Sequence, residues 1–145
     1  MRILVLNGPN LNLLGIREPE IYGRQTYADL CAAIQKEADA LGVDSSFFQS
    51  NHEGALVDAI QDALGHADGI LLNPAAYTHT SVALLDAVKA VGIPTVEVHL
   101  SDPDAREDFR KISYVRAACI ATVKGYGFDS YLRALRLLVS RLQKS

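Results

Sequence analysis

The amino-acid sequence predicts an α/β protein in which a five-stranded parallel sheet carries helices on both faces. Two patterns predict it. Short apolar runs of strand length recur five times, and the segments between them repeat their apolar residues at the helical period. Because β-α-β crossovers are right-handed almost without exception, this alternation leaves few other topologies. Size agrees, since 145 residues suit one domain with one core, burying ~70% of the unfolded chain's surface. At 49% hydrophobic and 21% charged residues, the composition is globular and too apolar for a disordered chain.

Ile3 to Leu6 is a continuous apolar run ended by Asn7-Gly8-Pro9, as for a strand buried on both faces and stopped by a turn. Residues 10–25 follow without a period of 2 or 3.6, a long polar loop able to close over a site as a lid. Tyr27, Leu30, Cys31, Ile34, Ala38 and Leu41 mark one face of a helix closed by Gly42. Val43 to Gln49 is the second strand. Ser50 and Glu53 read as a capping box for a helix striped by Leu56, Ile60 and Leu64. Gly69 to Leu72, ended by Asn73-Pro74, is the third strand. Val82, Leu85, Val88 and Val91 stripe the next helix, Gly92 closes it, and Pro94 opens a fourth strand through Val98. Asp102 to Ile112 is polar, with room for one helical turn. Ile120 to Val123 lies in the fifth strand, and Leu132, Leu135, Leu138, Val139 and Leu142 stripe a final helix capped by Asp129 or Ser130. The expected architecture is a flavodoxin-like three-layer sandwich of strand order 2-1-3-4-5, one domain over residues 1–145.

Fourteen Lys and Arg against seventeen Asp and Glu leave a charge of -3, with no basic block, which argues against nucleic acid or an anionic membrane as the main partner. Cys31 and Cys119 sit in apolar segments without metal-site spacing and are expected to be reduced core thiols. The chain opens on Met-Arg-Ile-Leu-Val-Leu without a charged leader, and no apolar stretch reaches the ~18 residues of a membrane span. The expected location is cytoplasmic.

In such a sheet, ligands bind beyond the carboxyl ends of the strands where strand order reverses, here between the first and third strands. That edge collects Asn7 and Asn10, then Asn73 and His79, then Glu97, His99 and Ser101, with Arg17, Tyr22 and Arg24 in the lid. A single Asn after a strand is most often a turn residue, but three on one edge favour a polar site. Glu97-x-His99 places both side chains on one strand face, where the carboxylate can orient the imidazole. Arg17 near Tyr22 makes a cation-assisted tyrosinate conceivable. His52-Glu53 begins a zinc-protease pattern, but Leu56 occupies the second His position, and no metal site is supported. Gly125-Tyr126-Gly127 resembles a dinucleotide fingerprint, but Ser130 replaces its third Gly. No phosphate loop is present, and the first and third strands end in Asn where a receiver domain wants acids. The residues alone thus indicate an enzyme or a binder of a polar, uncharged or anionic small molecule.

The stretch from Asn7 to Gly15, with Arg17-Glu18-Pro19 and Tyr22-Gly23, strongly resembles the type II 3-dehydroquinate dehydratases. Gln49 to Gly54, Asn73 to Ser81, Glu97 to Ser101 and Arg106 to Arg110 match further, so the likeness covers nearly the whole chain. The resemblance implies a catalytic domain that dehydrates 3-dehydroquinate to 3-dehydroshikimate in the shikimate pathway, by anti elimination through an enolate, with no metal or cofactor. It implies Tyr22 as the base, Arg17 as the group that holds it as tyrosinate, Asn10 on the enolate oxygen, and His99, oriented by Glu97, as the acid. Asn73, His79, Leu100, Ser101 and Arg110 resemble the substrate-binding set. Asp86 matches a residue that reaches a neighbouring subunit's site, implying a homo-oligomer, a dodecamer of four trimers. Departures from the family pattern include Asp102, Tyr27, Lys111 and Ser130, of which Asp102 adds negative charge beside Ser101 and leaves affinity for an anionic substrate open. A non-catalytic binding module on the same fold is the alternative, and the complete Asn10, Arg17, Tyr22, Glu97, His99 set argues against it.

Overall fold

The computed structural model describes residues 1–16 and 18–144, with the side chains of Ile21 and Tyr22 outside the description. Its strands are β1 (Arg2–Asn7), β2 (Asp44–Gln49), β3 (Gly69–Asn73), β4 (Thr95–His99) and β5 (Ala121–Lys124). All four pairings are parallel, in the order β2-β1-β3-β4-β5, as expected for a flavodoxin-like sandwich. Among the described residues, five α-helices join or flank them: α1 (Pro19–Tyr22), α2 (Tyr27–Leu41), α3 (Glu53–Asp62), α4 (Val82–Val91) and α5 (Phe128–Gln143).

Alternation along the strands builds two cores. Ile3, Val5, Leu71, Val96 and Val98 face α2 and α5, meeting Leu30, Ile34, Leu135 and Leu138. Leu6, Ile70 and Leu72 face α3 and α4, meeting Leu56, Ile60, Leu84 and Val88. The same parity decides where the polar residues at the strand ends go. Asn7 and Asn73, paired in register, continue the first face, whereas Glu97 and His99 lie on the second.

Helix α2 begins and ends where its sequence signals stand. Thr26 and Asp29 form a capping box, and Gly42 closes the helix at φ 72°, in the left-handed region. Four other local expectations fail. Ser50 does not cap α3, because its hydroxyl accepts instead from the His52 N–H at 3.0 Å and the helix starts two residues late, at Glu53. Leu64 lies past the end of α3 and is exposed. The buried stripe of α4 runs through Leu84, Ala87 and Val88, leaving Val82 in solvent. Helix α5 starts at Phe128 after Gly127, so Ser130 falls inside its first turn, where its hydroxyl accepts from the Tyr126 N–H at 2.9 Å.

No α-helix joins β4 to β5. The 3-10 turns Pro103–Ala105, Asp108–Lys111 and Val115–Ala118 make that crossover, and Val115 alone inserts fully into the α3/α4 core. Residues 10–25 likewise contain a 3-10 turn (Leu11–Leu13) and α1 rather than unbroken loop. Cys31 and Cys119 are free and half-buried, less enclosed than core thiols.

Candidate active site

The cleft opens beyond the carboxyl ends of β1, β3 and β4. Gly8 permits the close approach that shapes it, since a Cβ there would lie 2.3 Å from the Pro74 carbonyl oxygen. Its N–H donates to the Asn73 carbonyl at 2.8 Å, binding the first loop to the end of β3. Asn10 then turns the chain at φ 70°, and its N–H donates to Asn51 Oδ1 at 3.0 Å. Gly15, at φ 88°, brings the loop's outward limb against its return limb, where a Cβ would stand 2.7 Å from the Arg24 carbonyl. Between these turns and the loop after β4, the cleft is lined by Asn10, Asn73, His79, His99, Leu100, Ser101, Arg106 and Arg110 together with apolar Leu11, Leu14 and Pro103.

Below the cleft floor, Glu97 is fully buried and every lone-pair direction of its carboxylate is occupied. Oε2 accepts from His99 Nε2–H at 2.5 Å, from Ser113 Oγ at 2.9 Å and from Arg116 Nη2 at 3.2 Å. Oε1 accepts from Arg116 Nε at 3.0 Å and Thr122 Oγ1 at 3.1 Å. Burial by itself would raise the Glu97 pKa, but the hydrogen bonds from His99 and Arg116 outweigh it and hold the carboxyl at about 2. An ionised Glu97 fixes the imidazole tautomer, because Nε2 must then carry a proton directed at Oε2. His99 itself is almost buried and reaches the cleft lining.

Asn73 is locked from both ends of its amide. Nδ2 donates to the Tyr131 hydroxyl at 2.9 Å, and Oδ1 accepts from the Ala75 N–H at 3.0 Å, holding Ala75 in a left-handed conformation at φ 54°. A non-glycine residue there costs ~1 kcal/mol, and such strain gathers at ligand-binding turns. His79 Nδ1–H donates to the Ile112 carbonyl at 2.7 Å, and burial lowers its pKa, with Arg110 and His99 adding to that effect. Arg110 pairs with Glu107, and Arg106 Nη2 lies 3.5 Å from Glu18 Oε2. No Asp or Glu is among the described lining residues, so the charged side chains of the cleft are Arg106 and Arg110. Such a lining suits an anion. The negative charge of Asp102 is met by Lys124, whose Nζ lies 3.2 Å from Oδ1 and also pairs with Asp104.

The structure thus brings together Asn10, Asn73, His79, Glu97, His99, Leu100, Ser101 and Arg110. Arg17 lies outside the described residues, and Tyr22 is described only as the last residue of α1. Asp86 is exposed on α4 and does not line the cleft of its own chain. Reading the sequence missed Arg106, the Glu97 partners Ser113, Arg116 and Thr122, and Tyr131 beneath Asn73. One signal could have found Thr122: it is the polar residue within the apolar run of β5, and it pairs in register with Glu97. Nothing local marks Arg116 or Tyr131. Among the described residues, no group of three or more His, Cys, Asp and Glu stands close enough to hold a metal ion. No helix among them is long and apolar enough to cross a membrane.

A parallel α/β sandwich with a carboxylate-imidazole pair and two guanidinium groups at its switch point is built like an α/β protein whose cleft suits proton transfer and a small anion. Comparison with known proteins narrows that class. The family model described as Dehydroquinase class II matches residues 1–139. A 3-dehydroquinate dehydratase of Geotalea daltonii is 54% identical over 144 residues, covering 99% of this chain and 100% of that one. Another, from Caldicellulosiruptor saccharolyticus, is 54% identical over 138 residues, 94% of this chain and 95% of that one. The crystal structure of a type II dehydroquinase from Butyrivibrio crossotus superposes with a TM-score of 0.94 at 45% identity, covering 96% of this chain and 97% of that one. The chain belongs to the class II dehydroquinase family.

Proposed function

We propose that this protein dehydrates 3-dehydroquinate to 3-dehydroshikimate in the shikimate pathway, by anti elimination through an enolate. The observation that carries the reading is the His99-Glu97 pair at 2.5 Å, facing a cleft whose described charged groups are both guanidinium. A substrate carboxylate suits Arg110 and Arg106, with Asn73, His79 and the backbone at Leu100 and Ser101 positioned for hydroxyls.

In this mechanism Tyr22, held as tyrosinate by Arg17, removes the C2 proton, and the electron pair of that bond moves onto the C3 carbonyl oxygen. Asn10 stabilises the developing oxyanion, through a water, from a donor set in place beforehand. As the enolate collapses, the C1–O bond breaks and His99 gives its proton to the leaving hydroxyl, releasing water. Glu97 retains its charge throughout, stabilising the imidazolium before transfer and fixing the ring afterwards. Chemistry is confined to one catalytic domain, residues 1–145, with a lid at residues 10–25.

The exposed carboxylate of Asp86 on α4 supports a shared site, in which it reaches a neighbouring subunit within a dodecamer of four trimers. Free thiols at Cys31 and Cys119 suit a reducing cytoplasm. The test is ultraviolet absorbance with 3-dehydroquinate, because the product's conjugated enone absorbs and the reactant does not. Growth of that band supports the reading, and a flat trace from folded protein favours a non-catalytic binder instead.

A further inference from the structure

We propose that Arg116 is a positioning residue for this reaction, a guanidinium fork that holds the Glu97 carboxylate so that Oε2 presents to His99 in one orientation. The inference rests on the dehydratase reading. Arg116 does not line the cleft, so it acts through Glu97 and touches no reacting atom.

The geometry is that of a fork. Nε reaches Oε1 at 3.0 Å and Nη2 reaches Oε2 at 3.2 Å, so the two parallel donors fix the carboxylate plane. The remaining donors cannot do this. Ser113 and Thr122 offer hydroxyl rotors, which donate to a carboxylate as readily as they accept from a protonated carboxyl. A guanidinium only donates and stays charged, so it is the partner that rejects the protonated form. Without it Oε1 would keep Thr122 alone, and a proton could settle on the carboxyl, turning the charge-assisted acceptor of the His99 Nε2 hydrogen bond into a weaker neutral one.

The groups facing Glu97 come from every element packed around it. His99 comes from its own strand, Thr122 from β5, Ser113, Arg116 and Cys119 from the β4–β5 crossover, and His79 from the turn after β3 acts at longer range. Burial, and then the charge of Glu97, pushes the Cys119 thiol up to about 12, so it stays neutral and does not compete. Arg116 is therefore the permanent cation opposite Glu97. Its position follows from Val115, whose buried side chain pins the 3-10 turn Val115–Ala118 against the α3/α4 core and aims the next residue under β4.

The test compares Arg116→Gln, which keeps donors and loses charge, with Arg116→Lys, which keeps charge and loses the fork. Enone absorbance gives kcat and KM, and carbon-13 resonances of the glutamate carboxyls, with Glu97 assigned through Glu97→Gln, give its titration. A general acid is worth on the order of 10²–10⁴ in rate, so Arg116→Gln should lower kcat about tenfold or more with little change in KM. Arg116→Lys should recover part of that loss. In a Glu97→Gln background the same substitution should cost little more. The Glu97 carboxyl, silent in the wild type down to about pH 4, should titrate above it in Arg116→Gln. Wild-type kcat and an unmoved titration in folded Arg116→Gln would overturn the proposal, as would an equal loss in the Glu97→Gln background. A flat trace from the wild type overturns the dehydratase reading instead, and the carboxyl titration then decides the clamp by itself.

Discussion

Asn73 Nδ2 donates to the Tyr131 hydroxyl at 2.9 Å, joining the end of the third strand to the last helix across 58 positions of sequence. The same hydroxyl donates to Asn7 Oδ1 at 2.5 Å, and Asn7 Nδ2 in turn donates to Tyr27 at 3.3 Å. A buried chain of amides and phenols therefore fixes the two strand ends from which the cleft is built. Burial pushes Tyr131 far above the ordinary phenol range and Tyr27 up to about 12, so both remain neutral donors and acceptors at any physiological pH.

Tyr131→Phe keeps the ring and removes the link. Asn7 and Asn73 are both buried, so each loses a partner that water cannot replace, at a cost of ~1–3 kcal/mol. Calorimetry should show a lowered Tm, and kinetics should show a raised KM from the freed Asn73 amide. A variant with wild-type Tm and KM would mean that the chain carries no strain from its loss.

Acid should unfold the protein in a window set by Glu97. Its folded pKa of about 2 lies below the ordinary 4.5, so its contribution is complete above about pH 4.5 and is lost as pH falls toward 2. Linkage makes that contribution ~3 kcal/mol. Glu97→Gln removes it and strands Arg116 and His99, so the variant should be less stable at neutral pH by ~3–5 kcal/mol. The gap should narrow as the wild type is acidified. Parallel denaturant titrations across pH check this, and a constant gap would contradict it.

Tyr22→Phe should abolish turnover and leave the circular dichroism unchanged, since it removes one oxygen and little volume. Lowering a tyrosine from ~10 to near 7 demands ~4 kcal/mol in favour of the anion, which the mechanism assigns largely to Arg17. Arg17→Ala should therefore cut turnover by orders of magnitude and move the rate profile to higher pH. Near-normal turnover in Tyr22→Phe would exclude it as the base.

Asp86→Ala should weaken substrate binding more than it destabilises the isolated fold, because the carboxylate is exposed in its own chain and the proposed shared site uses it in a neighbouring subunit. Light scattering beside kinetics on both proteins makes the comparison. A fully active wild-type monomer would remove the shared-site idea while leaving the roles of Tyr22 and His99 standing.

How far the sequence reached depends on the range of the interaction. Helix α2 was legible from Tyr27 to Gly42 because periodicity and a closing glycine are local signals, and the strand order followed from the flavodoxin-like pattern that right-handed crossovers favour. Ser50, Val82 and Ser130 were misread for the complementary reason. A hydroxyl finds its partner, and a valine its face, only once the packed neighbours are in place, and tertiary contacts outweigh caps worth ~1 kcal/mol. At the site, Glu97-x-His99 announced its pairing because positions i and i+2 of a strand share a face. Its anchoring did not, because Arg116 and Thr122 reach Glu97 from 19 and 25 residues away. By itself the sequence determined the parallel sheet, the edge at which polar residues gather and the carboxylate-imidazole pair on β4, all products of short-range periodicity. Only the tertiary structure decided that Glu97 is clamped as an anion and Asn73 locked by Tyr131, because a buried charge or amide is satisfied by whichever distant groups the folded chain delivers.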